Sequence, residues 1–290
     1  MTRPAATRLL PDIACHLGES PVWDDRAACL YWVDINGRQL HRFDPVSAAH
    51  DIVKTPETVS CLGPTTDGGL VLAGRSGIWA LAGLRDTPDL LWRWPPLADD
   101  IRTNDGKVGP DGAFWISTMQ DRDDRGPLGV VMRVAPDGSV TTPLTGLTTA
   151  NGMAWSPDGT RMYLSDTREL WVDIWDFDPA TGDLGHRRRF VTFAAGQGKP
   201  DGALVDSAGT YWAAAPYGHA VHGFAPDGTH VASVTVPTLM PTMPCLGGAD
   251  LRQLFVTSLT KGDAPDDGSG GLFTAPMQTP GLPSHRFAVR

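Results

Sequence analysis

The chain has 290 residues, 41% apolar and 20% charged, enough to bury a core and too apolar for a disordered polypeptide. A net charge of −9 and the lack of a basic stripe exclude the electrostatic footprint of a nucleic-acid binder. Its 33 glycines and 25 prolines, one residue in five, demand many short elements and many turns rather than long helices.

The first fifteen residues lack the apolar stretch of a signal peptide. No apolar run approaches the roughly 20 residues of a membrane helix, so no membrane partner is expected. The four cysteines (Cys15, Cys29, Cys61, Cys245) form no CxxC pair and no zinc spacing. A reduced, cytoplasmic protein is the expectation. The one basic run, Arg187-Arg188-Arg189, reads as a solvated hairpin.

Taken in chain order, six strand-like runs recur: Leu30–Asp34, Leu70–Gly74, Phe114–Thr118, Met162–Asp166, Tyr211–Ala215 and Leu254–Ser258. Their starts are 40 to 49 residues apart, about 45 on average. Five are preceded by a turn signal containing glycine, such as Pro110-Asp111-Gly112, Pro157-Asp158-Gly159 or Asp206–Gly209. A second alternating run follows each: Gln39–Asp44, Gly77–Leu81, Gly129–Val134, Trp171–Asp178, Ala220–Phe224 and Gly271–Pro276. A hairpin-built unit of this length is the size of a four-stranded propeller blade. The expected fold is therefore all-β, a six-bladed β-propeller with four-stranded antiparallel blades, with residues 1–290 as a single domain. The His285–Val289 run is expected to pair with an early strand and close the ring. The strand tryptophans (Trp32, Trp79, Trp115, Trp175, Trp212) read as packing between blades.

The segment before each turn signal is expected to be the innermost strand, lining the central channel. Asn104, Asn151 and Asp201 each stand eight residues before a turn glycine, and Glu19 stands five to eight before the Asp24–Ala27 turn. Equivalent positions around a propeller converge on its axis, so these four should cluster at one mouth. A glycine one or two residues after Asn104, Asn151 and Asp201 allows close backbone approach. The equivalent places in the other two blades, near Ser60-Cys61 and Pro244-Cys245, carry small residues and leave room for a ligand. Two carboxylates and two carboxamides suit one hard divalent cation: Ca²⁺ first, with Mg²⁺, Mn²⁺, Zn²⁺ and Fe²⁺ also accepting oxygen ligands. Such a cation relieves the repulsion between carboxylates packed about an axis. Three further Pro-Asp-Gly copies, at Asp137, Asp158 and Asp227, read as plain turns.

At these residues the sequence resembles the regucalcin/gluconolactonase (senescence marker protein) family of sugar lactonases. The similar segments are Leu17–Trp23, Arg102–Lys107, Phe114-Trp115 with Thr118-Met119, Asn151-Gly152, Pro200–Gly202 and Cys245–Leu251. The resemblance implies a divalent metal held by Glu19, Asn151 and Asp201, with Arg102 and Asn104 contacting a small sugar-lactone substrate. Family members often carry a Glu just after the Thr-Met pair that reaches the sugar hydroxyls. Here Gln120, Asp121 and Arg122 stand there.

Lactone hydrolysis needs a polarised carbonyl, an activated water and a stabilised oxyanion. Asp201 is the candidate general base, and Arg102 can donate to the carbonyl or ring oxygens. Paired with Asp99 or Asp100, Arg102 would instead be a surface ion pair. No G-x-S-x-G or H-E-x-x-H is present. The competing readings are a propeller hydrolase for other lactones or phosphotriesters, and a non-catalytic calcium- or protein-binding propeller.

Overall fold

In a computed structural model that describes residues 6–10, 13–95, 97–261 and 268–289, the chain forms six four-stranded antiparallel sheets. Among the described residues there is no helix, and none long and apolar enough to cross a membrane. The six sequence runs are the second strands of the blades, at Cys29–Asp34, Leu70–Gly74, Phe114–Gln120, Arg161–Asp166, Tyr211–Ala215 and Gln253–Ser258. The six alternating runs are the third strands. The second strands read as near-continuous apolar runs because each blade is sandwiched between neighbours, which buries these strands on both faces.

Each inner strand packs on the inner strand of the next blade, and the sixth packs on the first, which closes the ring. Large rings fill the space between blades. Trp32 and Trp115 are fully buried, and Trp115, Trp155 and Phe177 meet edge to face. The turn aspartates fasten the tryptophans as well: Trp115 Nε1 donates to Asp111 (3.1 Å) and Trp212 Nε1 to Asp206 (2.9 Å). The Asp137, Asp158 and Asp227 turns are turns as expected. Each aspartate accepts the amide two residues on, and each following glycine has positive φ.

Closure differs from the expectation. The fourth strand of the last blade is Arg8–Leu9, which pairs with Thr274 and Phe273. The His285–Val289 segment makes only a single parallel bridge, Phe287 to Thr65 in the second blade. Proline and glycine from Pro280 to Pro283 keep the chain end from running as a strand. The Arg187–Arg189 run lies on the outer strand of the fourth blade. Arg187 and Arg189 both pair with the buried Asp173 and lie over Trp171. All four cysteines are free and buried.

Candidate active site

The innermost strands are irregular at one height. The pairing register shifts between Glu19 and Val22, Val59 and Cys61, Thr103 and Gly106, Asn151 and Ala154, and Pro241 and Met243. In the fifth blade the paired inner strand starts only at Ala203, just after Asp201. A bulge inserts extra residues and re-aims side chains. The sequence places the polar residues at these bulges, at the end where each inner strand begins. Ser20 and Gly152, directly after Glu19 and Asn151, both have positive φ (52° and 62°). A side chain at Gly152 would run into the Tyr211 hydroxyl and stand 2.9 Å from the Asp201 carbonyl oxygen.

A chain of hydrogen bonds crosses three blades here. An Arg102 guanidinium N–H donates to Asn104 Oδ1 (3.0 Å), and Asn104 Nδ2 donates to Asn151 Oδ1 (2.8 Å). Asn151 Nδ2 donates to Thr167 Oγ1 (2.8 Å), which donates to the carbonyl of Pro200 (2.7 Å), the residue before Asp201. Arg102 is buried and pairs with Asp121 (3.1 Å), not with Asp99 or Asp100. The structure thus joins Arg102, Asn104 and Asn151 directly and leads from them to the Asp201 backbone.

Glu19 and Asp201 complete the cluster electrostatically. Burial, then the charges of Asp201 and Asp105, hold the Glu19 carboxyl well above the usual range. Burial and Asp105 push Asp201 up to about 8. Neither carboxylate forms an ion pair among the described residues. The hydrogen bond given to the Glu19 side chain is from the amide of Ser20 (3.2 Å). A half-buried and a buried carboxylate that resist ionisation, with the carboxamides of the neighbouring blades, are a donor set that fits a hard divalent cation.

Sequence reasoning passed over two members of this layer. Asp105 is buried and accepts the amides of Gly106 (2.8 Å) and Met153 (3.1 Å), so it staples the third blade to the fourth. Lys107 is half-buried and donates across the channel to the carbonyl of Ala203 (2.8 Å). Both sat inside Arg102–Lys107, of which the sequence reading singled out only Arg102 and Asn104. The sign that could have exposed them is a carboxylate and a lysine in a strand otherwise bound for the axis. A cavity of about 490 Å³ lies at the opposite, turn end of the inner strands, lined by Pro21, Leu62, Lys107, Pro157, Pro244 and His285. It contains none of Glu19, Asn104, Asn151 or Asp201, so the convergent polar groups lie at the other mouth. Away from the axis, Cys15, Asp34 and His41 place ligand atoms within 4.8 Å of one another. The Asp34 oxygens there accept the amides of His16, Leu17 and Gly37, which ties the entry of the chain to the first blade.

A closed ring of six four-stranded blades, with carboxylates and carboxamides where its inner strands begin, defines the β-propeller class. Residues 17–260 match the model of the SMP-30/Gluconolactonase/LRE-like region, and the chain belongs to that family. It is 37% identical to a 6-deoxy-6-sulfogluconolactonase of Pseudomonas putida, covering 94% of this chain and 95% of that protein. It is 35% identical to a pentonolactonase of Haloferax volcanii, covering 96% and 97%. The crystal structure of a calcium-binding regucalcin from Agrobacterium tumefaciens superposes with a TM-score of 0.91 at 28% identity, covering 98% of each chain.

Proposed function

We propose that this protein hydrolyses sugar lactones at the Glu19–Asn151–Asp201 mouth of the propeller. The observation that carries the reading is the pair of charge-crowded carboxylates, half-buried Glu19 and buried Asp201, set against the Arg102–Asn104–Asn151 chain. Family membership and the lactonase relatives support it.

A divalent cation, calcium first, held by Glu19, Asn151 and Asp201, would supply Lewis acidity toward the lactone carbonyl and a counter-charge for the carboxylates. In its charged form Asp201 takes a proton from the attacking water as that water adds to the carbonyl carbon. The ring C–O bond then breaks as the ring oxygen takes that proton back from Asp201, leaving a hydroxy acid and restoring the carboxylate. The Arg102 side chain is fixed by Asp121 and Asn104, so its remaining N–H groups are pre-aimed at oxygen on which charge develops. Asn104 donates to Asn151 and to the Ala150 carbonyl (3.0 Å), so its carboxamide is locked in one orientation beside the substrate. The bulged backbone keeps these side chains in place without relying on sheet register.

The test is hydrolysis of a panel of aldonolactones against added metals, with wild type, Asp201→Asn and Glu19→Gln. Loss of the base should lower kcat by roughly 10²- to 10⁴-fold with the fold intact. Glu19→Gln should lower the metal content of the purified protein. An Asp201→Asn protein that keeps wild-type turnover, or a wild type inert on every lactone with metal restored, would overturn the reading. The second outcome favours a binding propeller.

A further inference from the structure

The loop after the second strand of the third blade, residues 121–128, is tied down over the polar mouth. Gln120 holds it from both ends: its Oε1 accepts the amide of Gly126 (2.6 Å) and its Nε2 donates to Asp100 (2.8 Å). Asp121 pairs with Arg102, and Arg122 pairs with Asp124 (3.2 Å) and Asp100 (3.8 Å). From the fourth blade Arg168 donates to the carbonyl of Asp123 (2.6 Å). Arg125 turns inward. Its guanidinium lies 3.3 Å from Met119 Sδ, and Met119 pairs across the strands with Arg102 and bridges to Thr149.

Two guanidinium groups stand out in this arrangement. The carboxylates of Asp100, Asp121 and Asp124 are engaged by Arg102, Arg122 and Gln120. Neither Arg125 nor Arg168 forms an ion pair among the described residues. Arg125 is half-buried, and its charge is disfavoured by that burial and then by Arg168 and Arg102, against only partial relief from Asp121 and Asp123. Burying a charge beside like charges is costly unless a counter-charge arrives. The other cations near this mouth, Lys199 and Lys261, both lie on the ring of Tyr217 and are occupied there. The two arginines flank the catalytic chain. Arg125 lies over the Arg102 end, and Arg168 follows Thr167, which holds Asn151.

We infer that the preferred lactone carries an anionic oxyanion group on its carbon chain, remote from the ring carbonyl, and that Arg125 and Arg168 receive it. The inference rests on the lactonase reading above. Guanidinium forks match the geometry of carboxylate, sulfonate and phosphate alike. The loop stands where the family pattern would have a hydroxyl-reading glutamate. Here two arginines without an ion pair among the described residues, half-buried Arg125 and exposed Arg168, stand beside that place, so recognition at the far end of the sugar passes from hydroxyl to negative charge.

A matched pair of lactones isolates the effect: glucono-1,4-lactone, ending in CH₂OH, and glucaro-1,4-lactone, ending in carboxylate. A sulfonate-bearing analogue serves as a third arm and distinguishes planar from tetrahedral anions. Wild type should show a kcat/KM at least tenfold higher for an anionic member than for the neutral one, and the ratio should shrink with added salt. Arg125→Gln and Arg168→Gln should each collapse that ratio, roughly ten- to a hundredfold for a lost charge-assisted contact. Equal or faster turnover of the neutral lactone, with a ratio unmoved by either substitution, would overturn the inference and leave the lactonase reading standing. If no lactone turns over, the lactonase reading falls. Calorimetric binding of glucarate against gluconate then decides the anion pocket: tighter glucarate binding lost in Arg125→Gln supports it, and equal binding refutes it.

Discussion

Replacing Asp201 by asparagine should stabilise the metal-free protein, and more so as pH rises. Burial and the neighbouring Asp105 push the Asp201 carboxyl up to about 8, against about 4 in an unfolded chain. Between those values the native state keeps a proton that the unfolded chain has released. Unfolding free energy therefore falls as pH rises through the window, by up to about 1.4 kcal/mol per pH unit for one such group. Asparagine has no proton to lose and escapes this slope. Glu19, raised by burial and by Asp201, relaxes when residue 201 is neutral and widens the gap. From pH 6.5 to 8 the two proteins should diverge by about 2 kcal/mol, or about 4 °C in Tm for a chain of this size. The assay is thermal unfolding in chelator at half-unit pH steps. Excess calcium should reverse the order, because carboxylates must be deprotonated to bind a cation and the variant has lost one. Parallel melting curves at every pH in chelator would refute the picture of crowded, protonated carboxylates on the axis.

Three further outcomes are expected. Burial, then His50, holds His41 down to about 4, so the unfolded chain takes a proton there that the native state refuses; stability should fall by about 2 kcal/mol between pH 6.5 and 4.5 through this group, and His41→Phe should flatten that acid limb in denaturant titrations. Gly152→Ala forces a side chain into positive φ and onto the Tyr211 hydroxyl; it should cost about 2 kcal/mol or more by calorimetry and abolish lactone turnover. We propose that residues 1–290 unfold as one unit, so calorimetry should show a single transition; removing residues 1–10 should lower it and, by baring the edge of Phe273–Pro276, promote association visible by light scattering.

The blades were legible because their signals are local. A strand-like run, a glycine turn and a second alternating run recur at near-constant spacing, and each aspartate–glycine pair sets its own turn. The register of Glu19, Asn104, Asn151 and Asp201 could be counted for the same reason. The bulges were not legible, since a register shift is a relation between two strands and leaves no mark in either. That is why Asp105 went unremarked beside Asn104 although it accepts an amide from the next blade. The Arg102–Asp121 pair was missed on similar grounds. Asp99 and Asp100 are nearer in sequence, but antiparallel pairing of Arg102 with Met119 carries the end of the strand, and Asp121 with it, back beside Arg102. Ring closure was misassigned because the decisive partner, Arg8–Leu9, is a two-residue strand with no periodicity of its own.

That short strand has a consequence for how the molecule is made. Arg8 and Leu9 leave the ribosome long before their partners, Phe273 and Thr274, which come after all the other blades. Earlier blades can pair their own hairpins as they emerge, because every one of their strands is contiguous in the chain. The final blade cannot. Its fourth place stays unfilled until the other five blades have emerged, and so does the bond from Thr242 to the carbonyl of Gly18 that joins the last blade to the first. The polar cluster on the axis draws on the first, third, fourth and fifth blades, so it gains its final shape only when the ring is closed between the last blade and the first.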